Sequence, residues 1–178
     1  EDGTRSAYRG HNQGHNEPVA IKSLKRPPAL GAPLVGIFVQ RFRDESRILY
    51  RLSQGNLHIV RSIAAGTVQS PATGALVPYM VLEWLDGRSL ADDLAGRTGK
   101  GLGGRSLQEA LAILGPVAEG LSVAHKHQVV HRDIKPANVF LLNAGNRVKV
   151  LDFGIAKIMK EGVLIATRGT LGSFTWLY

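Results

Sequence analysis

The period of the apolar positions changes several times along this chain, and each change marks an element. Pro18-Val19-Ala20-Ile21-Lys22 is a short β-rich run opened by a proline and predicts a strand. Lys25 to Gly36 holds three prolines and two glycines and reads as a loop. Phe38, Phe42, Leu49 and Leu52 then keep helical spacing, and Gly55-Asn56 closes that helix. Val60 to Val68 and Pro78 to Trp84 return to strand character, joined by the turn Ser70-Pro71-Ala72-Thr73-Gly74.

Asp86-Gly87 breaks the pattern, and Ser89-Leu90-Ala91-Asp92 resembles a capping box that opens a short helix. Gly96 to Arg105 is glycine-rich and reads as a loop. Ser106 and Glu109 form a full capping box, each able to satisfy a free backbone N–H of the next helix. Behind it Leu107, Leu111, Leu114, Ala118, Leu121 and His125 step by four and three along one helical face. Two strand-like runs follow, Val139 to Leu142 and Val148 to Leu151, around a hairpin turn at Asn143-Ala144-Gly145-Asn146. Strands with one helix come first and mostly helices later, which predicts an α+β protein in two lobes.

The 178 residues suffice for one domain or somewhat more, and 44% hydrophobic with 20% charged is ordinary globular composition. No run reaches the roughly 20 apolar residues of a membrane span, and no leader pattern opens the chain. With no cysteine, disulfides and thiolate metal sites are excluded. The net charge of +8 is spread along the chain without a basic block or aromatic interleaving, so no nucleic-acid partner is expected. Glu1 is not an initiator methionine and no stop signal precedes Tyr178, so a segment of a longer chain is expected. A cytoplasmic location is expected for it, without membrane contact in this segment, while the parent chain is left free to carry an anchor.

His131-Arg132-Asp133-Ile134-Lys135-Pro136-Ala137-Asn138 is the densest collection of chemistry in the sequence. Packing alone does not gather three charges, a histidine and an asparagine, because unpaired buried charge is costly. The hairpin after it folds the chain back, which should bring Asn138 close to Asp152. Asp133, Asn138 and Asp152 then supply a base and oxygen ligands around one point, as Mg²⁺-assisted phosphoryl transfer requires. A polar surface loop beside a hairpin is the plain alternative, and Asp152-Phe153-Gly154 at this spacing argues against it.

These motifs, with Val19-Ala20-Ile21-Lys22 before them, resemble the catalytic loop, magnesium loop and lysine strand of the eukaryotic-type protein kinases, and look similar to bacterial members. The resemblance implies a two-lobed fold, with residues 1–83 as a β-rich N-lobe and 84–178 as the first part of a helical C-lobe. It implies ATP and Mg²⁺ as cofactors, and proteins with Ser or Thr hydroxyls as substrates. By the same resemblance Asp133 is the catalytic base, Lys135 contacts the transferred phosphate, Asn138 and Asp152 hold Mg²⁺, and Lys22 meets the α/β-phosphates.

Strand alternation puts Ala20 and Lys22 on one face, a small residue for an adenine ring beside a cation for its phosphates. Glu45 shares a stripe with Phe42, Leu49 and Leu52, so it needs a cation, and Lys22 is the expected one. Tyr79 to Leu85 resembles the strand and hinge between lobes, with Leu82 behind the adenine and the Glu83 to Leu85 backbone bonding the base. Lys135, two residues after Asp133, and Thr175 match the Ser/Thr group. Arg132 resembles an arginine that clamps a phosphorylated segment offering Thr167, Thr170, Ser173 or Thr175. The glycine-rich phosphate loop departs from the pattern: alignment leaves Gly3, with Asp2 and Arg5 where glycines stand in the family. A nucleotide-binding scaffold without turnover and a small-molecule phosphotransferase of similar fold are the rival readings.

Overall fold

The computed structural model describes residues 5–24, 32–145 and 147–153. A four-stranded antiparallel sheet in the order β1-β2-β4-β3 is built from β1 (Arg5–Asn12), β2 (Glu17–Leu24), β3 (Ser62–Gln69) and β4 (Leu76–Glu83). Between β2 and β3 runs α1 (Ala32–Ser53). A second, three-stranded sheet orders β5 (Gly87–Ser89), β6 (Val139–Leu142) and β7 (Val148–Val150) as β5-β6-β7. The helices α2 (Leu90–Gly99) and α3 (Leu107–Lys126) lie between β5 and β6, with a single 3₁₀ turn at Pro136–Asn138.

Several expectations change. The helix predicted from Phe38 begins at Ala32, so Ala32 to Gly36 is not loop. Pro33 misled the reading: in a first turn its missing N–H would have had no helical partner anyway. Likewise α2 continues to Gly99 into the glycine-rich stretch. Strands β1 and β5 had no reading as strands, the first because of its polar sequence and the second because three residues carry no period. Gly87, at φ 157°, opens β5 so close to β6 that a Cβ there would lie 2.0 Å from the Leu141 carbonyl oxygen.

A further change concerns α3. Its buried positions are Ile113, Val117, Gly120 and Ala124, whereas Leu107, Leu111 and Leu114 of the predicted stripe are exposed. Both faces are apolar, so periodicity alone does not choose between them. Backbone approach chooses: a Cβ on Gly120 would sit 3.2 Å from the His58 carbonyl oxygen, a closeness that a larger residue at this position would prevent. By length and composition α3 passes as a membrane span, contrary to the sequence reading. Ile113 and Val117 pack with Val139, Val148 and Val150, so core packing accounts for one apolar face of α3, while Leu107, Leu111 and Leu114 stay exposed on the other.

The main core joins Phe42, Leu49 and Leu52 of α1 to Met80 and Leu82 of β4, with Ile59, Val60, Ala124 and Phe153. Because this core reaches from α1 to Phe153, it sets the position of the segment carrying Asp152 relative to the four-stranded sheet.

Away from that core, Asp93 of α2 is buried and accepts from Arg88 Nε and Nη2 at 2.9 and 2.7 Å and also from Arg105 Nη2. Burial alone would raise its carboxyl, but the two arginines outweigh it and hold the group below its ordinary value of 3.8. A depressed folded value means stability that is full above pH 3.8 and lost as pH falls through the folded value. Asp93→Asn should lower unfolding stability by about 1–3 kcal/mol, below the range for fully buried pairs because Arg88 is 56% exposed. Urea unfolding checks this, and the variant should also lose part of the wild type's acid sensitivity.

Candidate active site

Lys22 lies near the end of β2, and its strand register sets Lys22 opposite Met80 and Ala20 opposite Leu82. Lys22 is 6% exposed, and Nζ lies 3.7 Å from Glu45 Oε1, itself on the buried side of α1 with Phe42, Leu49 and Leu52. The same Nζ donates to Asp152 Oδ1 at 2.5 Å, across 130 residues of chain. One cation thus meets two carboxylates, one from α1 and the other from the segment just past β7.

The catalytic-loop candidates form a second group. Asn138 ends the 3₁₀ turn, whose first position is Pro136, and donates through Nδ2 to Asp133 O and Oδ2 at 2.8 and 3.1 Å. Lys135 Nζ lies 2.9 Å from the same Asp133 Oδ2. Leu151 N–H donates to the Asn138 carbonyl at 2.8 Å, which sets Asn138 beside the residue preceding Asp152. The hairpin therefore brings the two sequence motifs together as their spacing suggested.

Two residues that sequence reasoning did not assign hold this arrangement. His131 is buried, and its Nδ1 accepts the Asp133 N–H at 3.3 Å while Nε2 faces the Leu151 carbonyl at 2.7 Å. Acceptance at Nδ1 makes Nε2–H the donor, hence a neutral ring. Burial pulls the imidazole below its ordinary value of 6.5, against the opposing pull of the Leu151 carbonyl and of Asp133 and Asp152. Phe153 is 1% exposed in the main core, its ring centroid 4.7 Å from that of His131. A buried Phe directly after Asp152 turns the carboxylate toward Lys22. The signal available was the His in the catalytic run, although nothing in its spacing distinguished support from chemistry.

Backbone strain marks the same places. Arg132 has φ 63° and Asp152 φ 37°, both in the left-handed region that non-glycine residues rarely occupy. Such conformations cost of order 1–3 kcal/mol and persist where surroundings over-determine them, often at functional sites.

At the C-terminal end of β4, Glu83 donates its N–H to the Arg61 carbonyl at 3.0 Å, and Leu85 packs against the main core. Trp84 between them carries Arg9 over its ring at 5.0 Å, a cation–π contact from β1 that the sequence did not suggest. Gly3, Asp2, Thr167, Thr170, Ser173 and Thr175, and the side chain of Phe38, lie outside the described residues.

Mg²⁺ with ATP fits the donor set. Asp152 supplies a hard carboxylate that is 41% exposed, and Asn138 an amide oxygen whose partner nitrogen is already engaged. Among the described residues no cluster of three His, Cys, Asp or Glu forms a cage. One or two protein ligands completed by phosphates and water is the usual way Mg²⁺ is held.

Comparison with known proteins agrees with this geometry. The family described as "Protein kinase domain" matches residues 3–177. The chain is 32% identical over 173 residues to a probable serine/threonine-protein kinase of Clostridium perfringens, covering 97% of this chain and 23% of that protein. It is 37% identical over 142 residues to the probable serine/threonine-protein kinase PknB of Corynebacterium glutamicum, covering 79% of this chain and 20% of that one. The chain thus spans about a quarter or less of the length of these relatives. The crystal structure of the Mycobacterium tuberculosis PknI kinase domain superposes with TM-score 0.66 at 29% identity, covering 85% of this chain and 54% of that domain. The fold is the two-lobed protein kinase fold, and the chain belongs to the protein kinase family.

Proposed function

We propose that this chain catalyses transfer of the ATP γ-phosphoryl group to Ser and Thr hydroxyls of proteins. The observation that carries the proposal is the 2.5 Å contact between Lys22 and Asp152, which joins the lysine strand to the magnesium loop with Glu45 on the other side of the amine. Residues 1–83 form the N-lobe and 84–178 part of the C-lobe, so the nucleotide lies along the junction.

Ala20 leaves room for the base above Leu82, and the Glu83 carbonyl and Leu85 backbone bond its edge, since the Glu83 N–H is taken by Arg61. Lys22 holds the α/β-phosphates. Asn138 and Asp152 would hold Mg²⁺, which would supply charge neutralisation to the nucleotide's phosphates. Asp133 orients the substrate hydroxyl and accepts its proton as the new P–O bond forms. The bond from the γ-phosphorus to the β–γ bridging oxygen breaks, and ADP leaves with that electron pair. Lys135, beside Asp133 Oδ2, faces the transferred group and balances its charge.

The test is incubation of the intact protein with γ-labelled ATP, Mg²⁺ and a generic basic protein, followed by phosphoamino-acid analysis. Phosphoserine or phosphothreonine that vanishes when EDTA removes the metal is the expected result. Transfer only to small molecules, or nucleotide binding without transfer, would reject the proposal in favour of the phosphotransferase or the scaffold.

A further inference from the structure

Lys149 is a buried lysine for which phosphoryl transfer has no use. It is the middle residue of β7, between buried Val148 and Val150, and is 7% exposed. Its Nζ donates to Glu83 Oε1 at 2.6 Å and to the Ile59 carbonyl at 3.3 Å. Glu83 Oε1 accepts a second bond, from Arg61 N–H at 2.6 Å. The backbones close the same knot: Val150 N–H donates to His58 O at 2.7 Å, and Val60 N–H to Val150 O at 3.0 Å.

A buried amine loses hydration that its partner must offset, and an apolar residue of similar length would fill the site without that cost. The location gives the lysine a use beyond packing. Glu83 ends β4 and carries the carbonyl assigned to the base, while Lys149 stands three residues before Asp152 on the strand leading to it. The pair therefore spans the two lobes at the two ends of the nucleotide. It acts from behind: Glu83 and Lys149 line a cleft of about 490 Å³ whose lining includes none of Ala20, Lys22, Asp133, Asn138 or Asp152.

We infer that Lys149 is a positioning residue whose ion pair with Glu83 fixes the distance between the base-contacting backbone and the metal-binding Asp152. The inference rests on the kinase reading given above. It has a consequence that a merely structural lysine would not share. Adenosine and Mg·tripolyphosphate each occupy one end and do not sense the spacing between ends. ATP bridges both and gains the joint binding only when the spacing matches.

Lys149→Met in the intact protein should therefore weaken Mg·ATP about tenfold while leaving adenosine and Mg·tripolyphosphate within about twofold of wild type, since linked binding depends on geometry. Calorimetry for ATP and NMR titration for the fragments read these affinities. Lys149→Arg, which keeps a cation at Glu83, should recover most of the ATP affinity. Equal weakening of all three ligands would overturn the inference, as would unchanged ATP affinity accompanied only by a lower Tm. A wild-type protein that binds no Mg·ATP would overturn the kinase reading itself. A Lys149→Met protein matching wild type for ATP, in a chain that transfers phosphate, would remove this inference alone.

Discussion

Asp133→Asn in the intact protein is expected to slow phosphoryl transfer by about 10²–10⁴ while ATP affinity stays close to wild type. The substitution preserves shape. The amide that replaces the carboxylate still offers a side-chain oxygen to Lys135 Nζ and Asn138 Nδ2, which both lie within about hydrogen-bond distance of Asp133 Oδ2. What disappears is a group able to take the hydroxyl proton, so the loss belongs to the chemical step. The contacts assigned to the nucleotide, Lys22 and the end of β4, belong to other elements and remain in place. Single-turnover transfer to a protein substrate, with ATP affinity measured in parallel, checks both halves. Near-wild-type turnover would show that Asp133 is not the base, whereas loss of ATP binding would show that it supports the fold of the site instead.

The sequence made the chemistry more legible than the architecture, for a physical reason. Charged and amide side chains gathered in one short run have few explanations besides a site, so Asp133, Asn138 and Asp152 stood out by type and spacing, and Lys135 through the resemblance to the Ser/Thr kinases. Hairpin chemistry at Asn143 to Asn146 then sufficed to predict that Asn138 approaches Asp152, as the Leu151 N–H to Asn138 O bond does. Glu45 was readable because a carboxylate in an apolar stripe demands a cation, and Lys22 lies 3.7 Å from it.

The less legible parts depended on contacts between distant segments. The buried face of α3 is chosen by Gly120 under His58, a contact between residues far apart in sequence. The start of α1 hid behind Pro33, whose helical tolerance depends on the turn it occupies. β1 is polar along much of its length and is held by its register with β2, from Arg5 opposite Leu24 to Asn12 opposite Glu17. Lys149 read as one polar position in a strand, and only its contact with Glu83 gives it meaning.

Asp152→Asn should produce a reversal of sign with metal rather than a uniform loss. In the structure the Asp152 carboxylate rests on Lys22 at 2.5 Å, and its side chain is 41% exposed. On the proposed reading that carboxylate is a ligand when Mg²⁺ is present. Exchanging it for a neutral amide should weaken Mg·ATP by more than the roughly 10–100-fold seen when partners outside the ligand shell are removed. Without Mg²⁺ the same carboxylate is a negative charge facing a polyphosphate and a competitor for Lys22. Its removal should strengthen metal-free ATP binding, and should free the Lys22 amine from one of its two acids, since Glu45 remains 3.7 Å away. Neutralising Asp152 therefore narrows the gap between metal-bound and metal-free nucleotide affinity from both sides. Calorimetric titration of ATP into wild type and variant, in Mg²⁺ and in EDTA, reads all four affinities. Weakening of equal size in both buffers would show that Asp152 shapes the pocket without holding the metal.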